Sequence, residues 1–198
     1  MYPSKKTFHK NKSYLLGGII LFQGYLINYF YVINNLDNYI YLSVFITFLF
    51  FLIAIIDDIG GVSPYLKIIF CCFVSYLVII NDVTLTIKTL NSLSLGILYF
   101  PDNIFIIIFF PILCLVIFVN AFNFIDSSDG LSVGLSGLSA TFFLVIAMSN
   151  GQEPIIYFCA ILLGLCIGLY FFNSYPAKLF LGDSGAQTLG FILGAIVF

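Results

Sequence analysis

An all-α, polytopic transmembrane helix bundle of about seven spans is predicted by three observations. The sequence is 62% hydrophobic and 8% charged, whereas an ordinary soluble domain carries roughly one-quarter charged residues. Its mean hydropathy is +1.14. Apolar runs of about 18 residues or more, long enough to cross a hydrocarbon core roughly 30 Å thick, recur along the chain between short polar stretches. Backbone in lipid must satisfy its own hydrogen bonds, and the run lengths suit helices rather than the short alternating strands of an outer-membrane barrel. A soluble fold is excluded. With no internal repeat or low-complexity linker, residues 1–198 read as a single integral membrane domain.

Hydropathy places spans at 14–33, 39–56, 66–81, 104–121, 131–149 and 155–172, with a last one starting near 187. The first follows a lysine-rich start but is too long for a signal peptide and has no small-residue cleavage site after it, so it is expected to be retained. Segment 82–103 has no transmembrane pattern. Within it Val83-Thr-Leu-Thr-Ile-Lys88 alternates like a short strand and predicts a small external hairpin. Cys71, Cys72, Cys114, Cys159 and Cys166 all lie in apolar runs without redox or zinc-site flanks, and read as core or lipid-facing residues.

Orientation follows from lysine, because the chain has no arginine. Lys5, Lys6, Lys10 and Lys12 precede the first span and are expected to stay cytoplasmic. Alternating crossings then put loops 57–65, 122–130 and 173–186 on that same face. Lys67 and Lys178 join the first four there, and only Lys88 falls outside. The net charge of -2, with no basic stripe interleaved with aromatics, gives no support to a nucleic-acid partner.

Asp57, Asp58, Asp126, Asp129 and Asp183 all fall at the cytoplasmic ends of spans, in three separate loops. Carboxylates gathered this way raise one another's pKa unless a cation neutralises them, which is what a divalent metal site requires. Magnesium is the expected ion, since it takes a few carboxylates with substrate phosphate oxygens and no His or Cys cluster favours zinc. Each Asp alone is equally at home in a turn or a helix cap. Context argues for more: Asp57-Asp58 directly follows the run Phe48 to Ile56, where paired charges at a membrane boundary are costly without a use. Asn120-Ala-Phe-Asn123-Phe-Ile-Asp126-Ser-Ser-Asp129-Gly130 concentrates two amides and two acids, and Gly182-Asp183-Ser-Gly185 sets an acid between glycines that let backbone N–H groups approach a phosphate.

At these residues the sequence resembles the polyprenyl-phosphate N-acetylhexosamine-1-phosphate transferase family, which includes the enzymes that start peptidoglycan, O-antigen (lipopolysaccharide) and teichoic-acid chains. The Asp-Asp loop followed by Ser-Pro-x-Leu-Lys is matched by Asp57 to Lys67. The Asn-Ala-x-Asn-x-x-Asp-x-x-Asp-Gly loop is matched by Asn120 to Gly130, and Phe-Asn-x-x-Pro-Ala-x-x-Phe-x-Gly-Asp-x-Gly by Phe172 to Gly185. Lys6-Thr-Phe-His9 with Gly17-Gly18 is similar to the family's basic-His and Gly-Gly element. Tyr14, Ser127, Ser128 and Ala186 depart from the pattern.

The resemblance implies transfer of a sugar-1-phosphate from a UDP-sugar to polyprenyl (undecaprenyl) phosphate, with release of UMP, at the cytoplasmic face of a bacterial inner membrane. By resemblance Asp183 is the principal metal ligand, joined by Asp126. Asp57, Asp58, Asp126 and Asp129 are the catalytic carboxylates. Lys67, Asn120, Asn123 and His9 are the substrate-binding candidates. Lys67 reads equally as a positive-inside anchor, the two Asn as helix caps, and His9 as a surface histidine. The resemblance also implies that the family's first helix and C-terminal His-containing loop lie outside these residues. Residues 187–198 at about 1.5 Å each rise roughly 18 Å, short of a core near 30 Å. The expectation is that these 198 residues alone do not turn over and that a further segment, a second copy or a partner chain completes them. Two rival readings are a non-catalytic homologue and, with less support, a transporter, whose charges would sit near the bilayer midplane rather than at one interface.

In a background freed of native cysteines, single cysteines at Gly61, Ser128 and Ser184 are expected to share one accessibility to an impermeant reagent, opposite to that of one at Asn91. Labelling of Ser128→Cys from the Asn91 side would separate the three loops.

Overall fold

The computed structural model describes residues 14–15, 17–32, 39–81 and 104–197. Among them are helices α1 (Gly17–Val32), α2 (Tyr39–Gly60), α3 (Pro64–Asn81), α4 (Ile104–Ile125), α5 (Leu131–Asn150), α6 (Glu153–Asn173) and α7 (Gly182–Val197). The all-α bundle is as expected. It carries one small addition: strands β1 (Tyr14–Leu15) and β2 (Leu179–Phe180) form a two-stranded parallel ribbon, with Tyr14 opposite Leu179 and Leu15 opposite Phe180. The expected hairpin at 82–103 lies outside the described residues.

The chain is a multi-pass membrane protein. Among the described residues, the stretches Ile108–Ile125, Leu131–Asn150 and Ile155–Asn173 are long and apolar enough to cross a membrane, and Gly17–Leu26 and Pro64–Ile80 are shorter apolar stretches. Outward-facing positions such as Ile69, Phe73, Leu138, Phe142 and Phe171 are as apolar as the core, the pattern of helices whose solvent is lipid. The five cysteines are free, and Cys71, Cys159 and Cys166 are buried.

Helix boundaries differ from the hydropathy boundaries in one consistent way. α2 runs on to Gly60, α4 to Ile125, and α7 begins at Gly182 rather than near 187. Hydropathy reports where lipid would be comfortable, whereas helical hydrogen bonding continues through the polar turn beyond it. Asp57, Asp58, Asn120, Asn123 and Asp183 therefore stand on helix ends, not on free loops.

α7 lies at the centre of the bundle, packed against α4, α2, α1 and α5. Every residue from Ser184 to Gly194 is buried. Phe191 stacks on Phe50 of α2 with ring centroids 4.7 Å apart, and Leu189, Ile192 and Leu193 join Leu21 and Phe51 in the main core. Glycine makes this possible. A Cβ on Gly190 would stand 2.8 Å from the Phe118 carbonyl oxygen and 2.9 Å from Val119 Cα, and one on Gly194 2.8 Å from a Leu115 methyl. α4 and α7 thus meet backbone to backbone, as membrane helices do where small residues line the contact. Gly17 and Gly18 do the same at the other end, where a Cβ on Gly17 would lie 2.7 Å from the Phe180 carbonyl oxygen and one on Gly18 would collide with the Ser184 hydroxyl.

Gly190→Leu is expected to destabilise the bundle by about 1–3 kcal/mol, because the clash is with main chain that cannot swing aside. Gly164→Ala, where no atom lies within 4 Å of the new methyl, is expected to be neutral or mildly stabilising through helix propensity. Thermal unfolding of the two variants in detergent compares them directly. Equal midpoints would remove the close-contact argument.

Candidate functional site

The polar end of the bundle is assembled from the three motif segments. α2 ends in Asp57-Asp58-Ile-Gly-Gly, and Gly61 takes a positive φ of 71° that turns the chain. Asp57 closes this turn twice: its carbonyl accepts the Gly61 N–H at 2.9 Å and its Oδ1 accepts the Val62 N–H at 2.7 Å. Ser63 Oγ accepts the Leu66 N–H at 3.4 Å as α3 begins. The first turn of α3 then carries Lys67 back over the end of α2. Its Nζ forms ion pairs with Asp57 Oδ2 and, at 3.1 Å, with Asp183 Oδ2 from the start of α7. One ammonium thus joins carboxylates 126 positions apart in the chain (Asp57 and Asp183).

Consecutive residues on a helix point about 100° apart, so Asp58 faces elsewhere. Its Oδ1 accepts the Asp183 N–H at 2.8 Å and its Oδ2 accepts the Ser184 N–H at 3.0 Å. These are first-turn donors that have no partner inside their own helix. Gly182, with φ 73°, makes the turn into α7, and Gly18 N–H donates to the Leu181 carbonyl at 3.0 Å.

The 126–130 segment is fastened to the 173–181 segment. Buried Asn173 accepts the Gly130 N–H through Oδ1 at 3.1 Å and donates through Nδ2 to the Leu179 carbonyl at 2.9 Å. Asp129 Oδ2 accepts the Ala177 N–H at 3.0 Å. Gly130 has φ 74°, and a Cβ there would press on Ser174 Cα at 3.2 Å, so glycine is required on both counts.

The electrostatics separate the acids. Burial pulls the Asp57 carboxyl upward, but the Lys67 ammonium and the Val62 N–H outweigh it and hold Asp57 below the usual carboxylate range. Burial and the neighbouring Asp57 raise Asp183 above that range, against the pull of Lys67. Asp126 rises furthest, to about 7, through burial and then through the charges of Asp183, Asp58 and Asp129. Its carboxyl makes no hydrogen bond among the described residues.

Four sequence-derived candidates, Asp57, Asp58, Lys67 and Asp183, are in direct contact here, and Asp126 lies within their field. Asp58 and Asp129 have main-chain partners instead of open oxygens. Asn120 turns its amide back onto the Val116 carbonyl at 2.7 Å on its own helix. Asn123 is half-buried without a side-chain hydrogen bond among the described residues. His9 lies outside the described residues. Sequence reasoning did not single out Asn173 as the staple between two motifs; its place inside the Phe172–Gly185 motif was the signal. Among the described residues no three His, Cys, Asp or Glu side chains converge into a preformed metal cage. The donor set that remains fits a magnesium ion, which takes one or two carboxylates and completes its shell with phosphate oxygens and water. Asp126, a half-buried acid raised first by burial and then by like charges, is the chemistry such a cation relieves.

Comparison with known proteins finds relatives over most of the chain. The phospho-N-acetylmuramoyl-pentapeptide-transferase of Borrelia turicatae is 30% identical over 213 residues, covering 90% of this chain and 58% of that protein. The enzyme of the same name from Clostridium novyi is 31% identical over 206 residues, with 95% and 61% covered. That from Prochlorococcus marinus is 32% identical over 214 residues, with 96% and 56% covered. The chain therefore spans a little over half the length of these relatives. The family profile of glycosyl transferase family 4 matches residues 39–198, which contain all three motif segments, and the chain belongs to that family.

Proposed function

We propose that this protein transfers a sugar-1-phosphate from a UDP-sugar to a polyprenyl phosphate, undecaprenyl phosphate being the expected acceptor, with release of UMP at the cytoplasmic face of a bacterial inner membrane. The observation that carries the reading is Lys67 held between Asp57 and Asp183, beside Asp126, at one end of a bundle of apolar helices. That is the depth at which a lipid phosphate meets a water-soluble nucleotide sugar. The names of the relatives make phospho-N-acetylmuramoyl-pentapeptide the first transferred group to test, and peptidoglycan synthesis the first pathway.

In the reaction a lipid-phosphate oxygen attacks the sugar-bearing phosphorus of the donor. A new P–O bond forms as the bond to the bridging oxygen breaks, and UMP leaves with the electron pair. One phosphoanhydride replaces another, so positioning and charge neutralisation carry most of the catalysis. Asp183 and Asp126 would hold magnesium, which when bound offsets charge on the phosphate oxygens. Lys67, fixed by two acids, presents its remaining donor capacity to a phosphate. Asp57, kept ionised by Lys67, holds the ammonium in place and has no proton to donate. Asn123 has the free amide for a substrate contact, while Asn120 braces its own helix.

Radiolabel transfer from a panel of UDP-sugars into organic-extractable lipid, with UMP release followed in parallel, tests the reading; no transfer from any donor by a full-length form, or by the chain supplied with the segment expected to complete it, would overturn it. Asp183→Asn is expected to cut turnover by about a hundredfold or more, the several kcal/mol that a metal-borne charge is worth, and to blunt the magnesium response. Near-normal turnover of that variant at low magnesium would remove Asp183 from the cation site. A pH dependence follows as well. Asp126 is protonated below about 7 and must lose that proton to hold a cation. Apparent magnesium affinity is therefore expected to weaken as pH falls through this value, and the dependence to shrink in Asp126→Asn. Competition with Mn2+ followed by electron paramagnetic resonance reads both, and a flat profile in the unaltered protein would show that no Asp126 proton is released on cation binding in this range.

A further inference from the structure

We infer that Asp58 is a positioning residue: by accepting the N–H groups of Asp183 and Ser184 it fixes the first turn of α7 and thereby aims the Asp183 carboxylate at its partners. The inference rests on the reading of Asp183 as a cation-holding residue, and gives Asp58 a different task from its neighbour Asp57.

Three observations support it. Both Asp58 oxygens are engaged, at 2.8 and 3.0 Å, and both by main chain rather than by side chains a substrate would displace. The two donors are the first-turn N–H groups of α7, which the helix itself cannot satisfy and which carry the positive end of its dipole. A carboxylate is the strongest acceptor a side chain can offer them. Third, the turn preceding them is built on a left-handed glycine, Gly182. It is held from α1 through Gly18 N–H to the Leu181 carbonyl, and from α6 through Asn173 Nδ2 to the Leu179 carbonyl. These bonds hold the chain before the helix; Asp58 holds the helix start. The Asp183 side chain leaves that fixed backbone to meet Lys67 Nζ at 3.1 Å. Without Asp58 the first turn can fray, and the carboxylate three bonds away moves with it.

A catalytic base and a positioning residue predict different outcomes. In Asp58→Asn, one acceptor oxygen remains but the second position becomes an amide that repels the Ser184 N–H. For a positioning role, Mn2+ binding measured by electron paramagnetic resonance should weaken by about tenfold or more, as for residues that orient metal ligands. The pH profile of transfer should keep its shape, and high magnesium should restore most of the rate. Loss of the acidic limb of the pH profile, with Mn2+ affinity unchanged, would make Asp58 a proton acceptor and overturn the inference. Hydrogen exchange of the unaltered protein decides the matter if the variant does not fold. The Asp183 and Ser184 amides should be protected although they lack helical partners, and rapid exchange at both would show that Asp58 does not hold them. Because metal binding and amide exchange need no turnover, they separate a failure of this inference from a failure of the transferase reading.

Discussion

The architecture depends on a glycine-bearing helix, α7, being buried on all sides from Ser184 to Gly194. α1, α2, α4 and α5 all pack on the 16 described residues of α7. Four helices can reach one axis only where the central helix has little side-chain bulk towards some of them. Gly185, Gly190 and Gly194 supply that on the faces towards α1 and α4. On the remaining faces Leu189, Phe191, Ile192 and Leu193 fill the space to exclusion of solvent. The consequence for chemistry is direct. Since the body of α7 is fixed by its surroundings, its first turn, with Asp183, is presented at a fixed height at the polar end of the bundle.

Charge balance then shapes that end. Carboxylates at a low-dielectric boundary interact more strongly than in water, and Lys67 is placed where it can offset two of them at once. Its sharing is unequal: Asp57, nearly enclosed, is pulled down, whereas Asp183, more open and facing Asp57, stays raised. Asp126 receives no such partner and bears the repulsion of the group. A charge set that leaves one acid near neutrality is poised to gain from an added cation, which is the physical ground for the proposal that Asp126 and Asp183 hold one.

Much of this was legible in the sequence. Composition and run length forecast the all-α bundle, and the order of the three polar segments forecast which acids meet, because alternating crossings return segments 57–65, 122–130 and 173–186 to one end. Two things were not legible. Hydropathy cannot see hydrogen bonding, so it ended α2 at Ile56 and started α7 near 187, and the site residues looked like loop residues when they are on helix ends. Side-chain direction was the other. Asp57 and Asp58 are adjacent letters with the same chemistry, and only their separation around the helix sends one to Lys67 and the other to the α7 backbone. The Asn173 staple was hidden for a similar reason, since its partners, Gly130 and Leu179, lie on either side of it in sequence and only its place in the Phe172–Gly185 motif sets it apart from an ordinary helix-ending asparagine.

Placement on helix ends also bears on how a membrane transferase can hold two unlike substrates. Groups borne by helices hold geometry better than groups borne by loops, and here the connecting segments are themselves tied down. Residues 61–63 are closed by Asp57, and residues 174–181 by Asn173 and Asp129. In the proposed reaction, a lipid phosphate arriving from the bilayer and a nucleotide sugar arriving from water would approach such a site from different sides. An arrangement that had to fold around either one would spend binding energy on ordering itself, whereas one already ordered by its own backbone bonds can direct that energy to bringing the two phosphates into line.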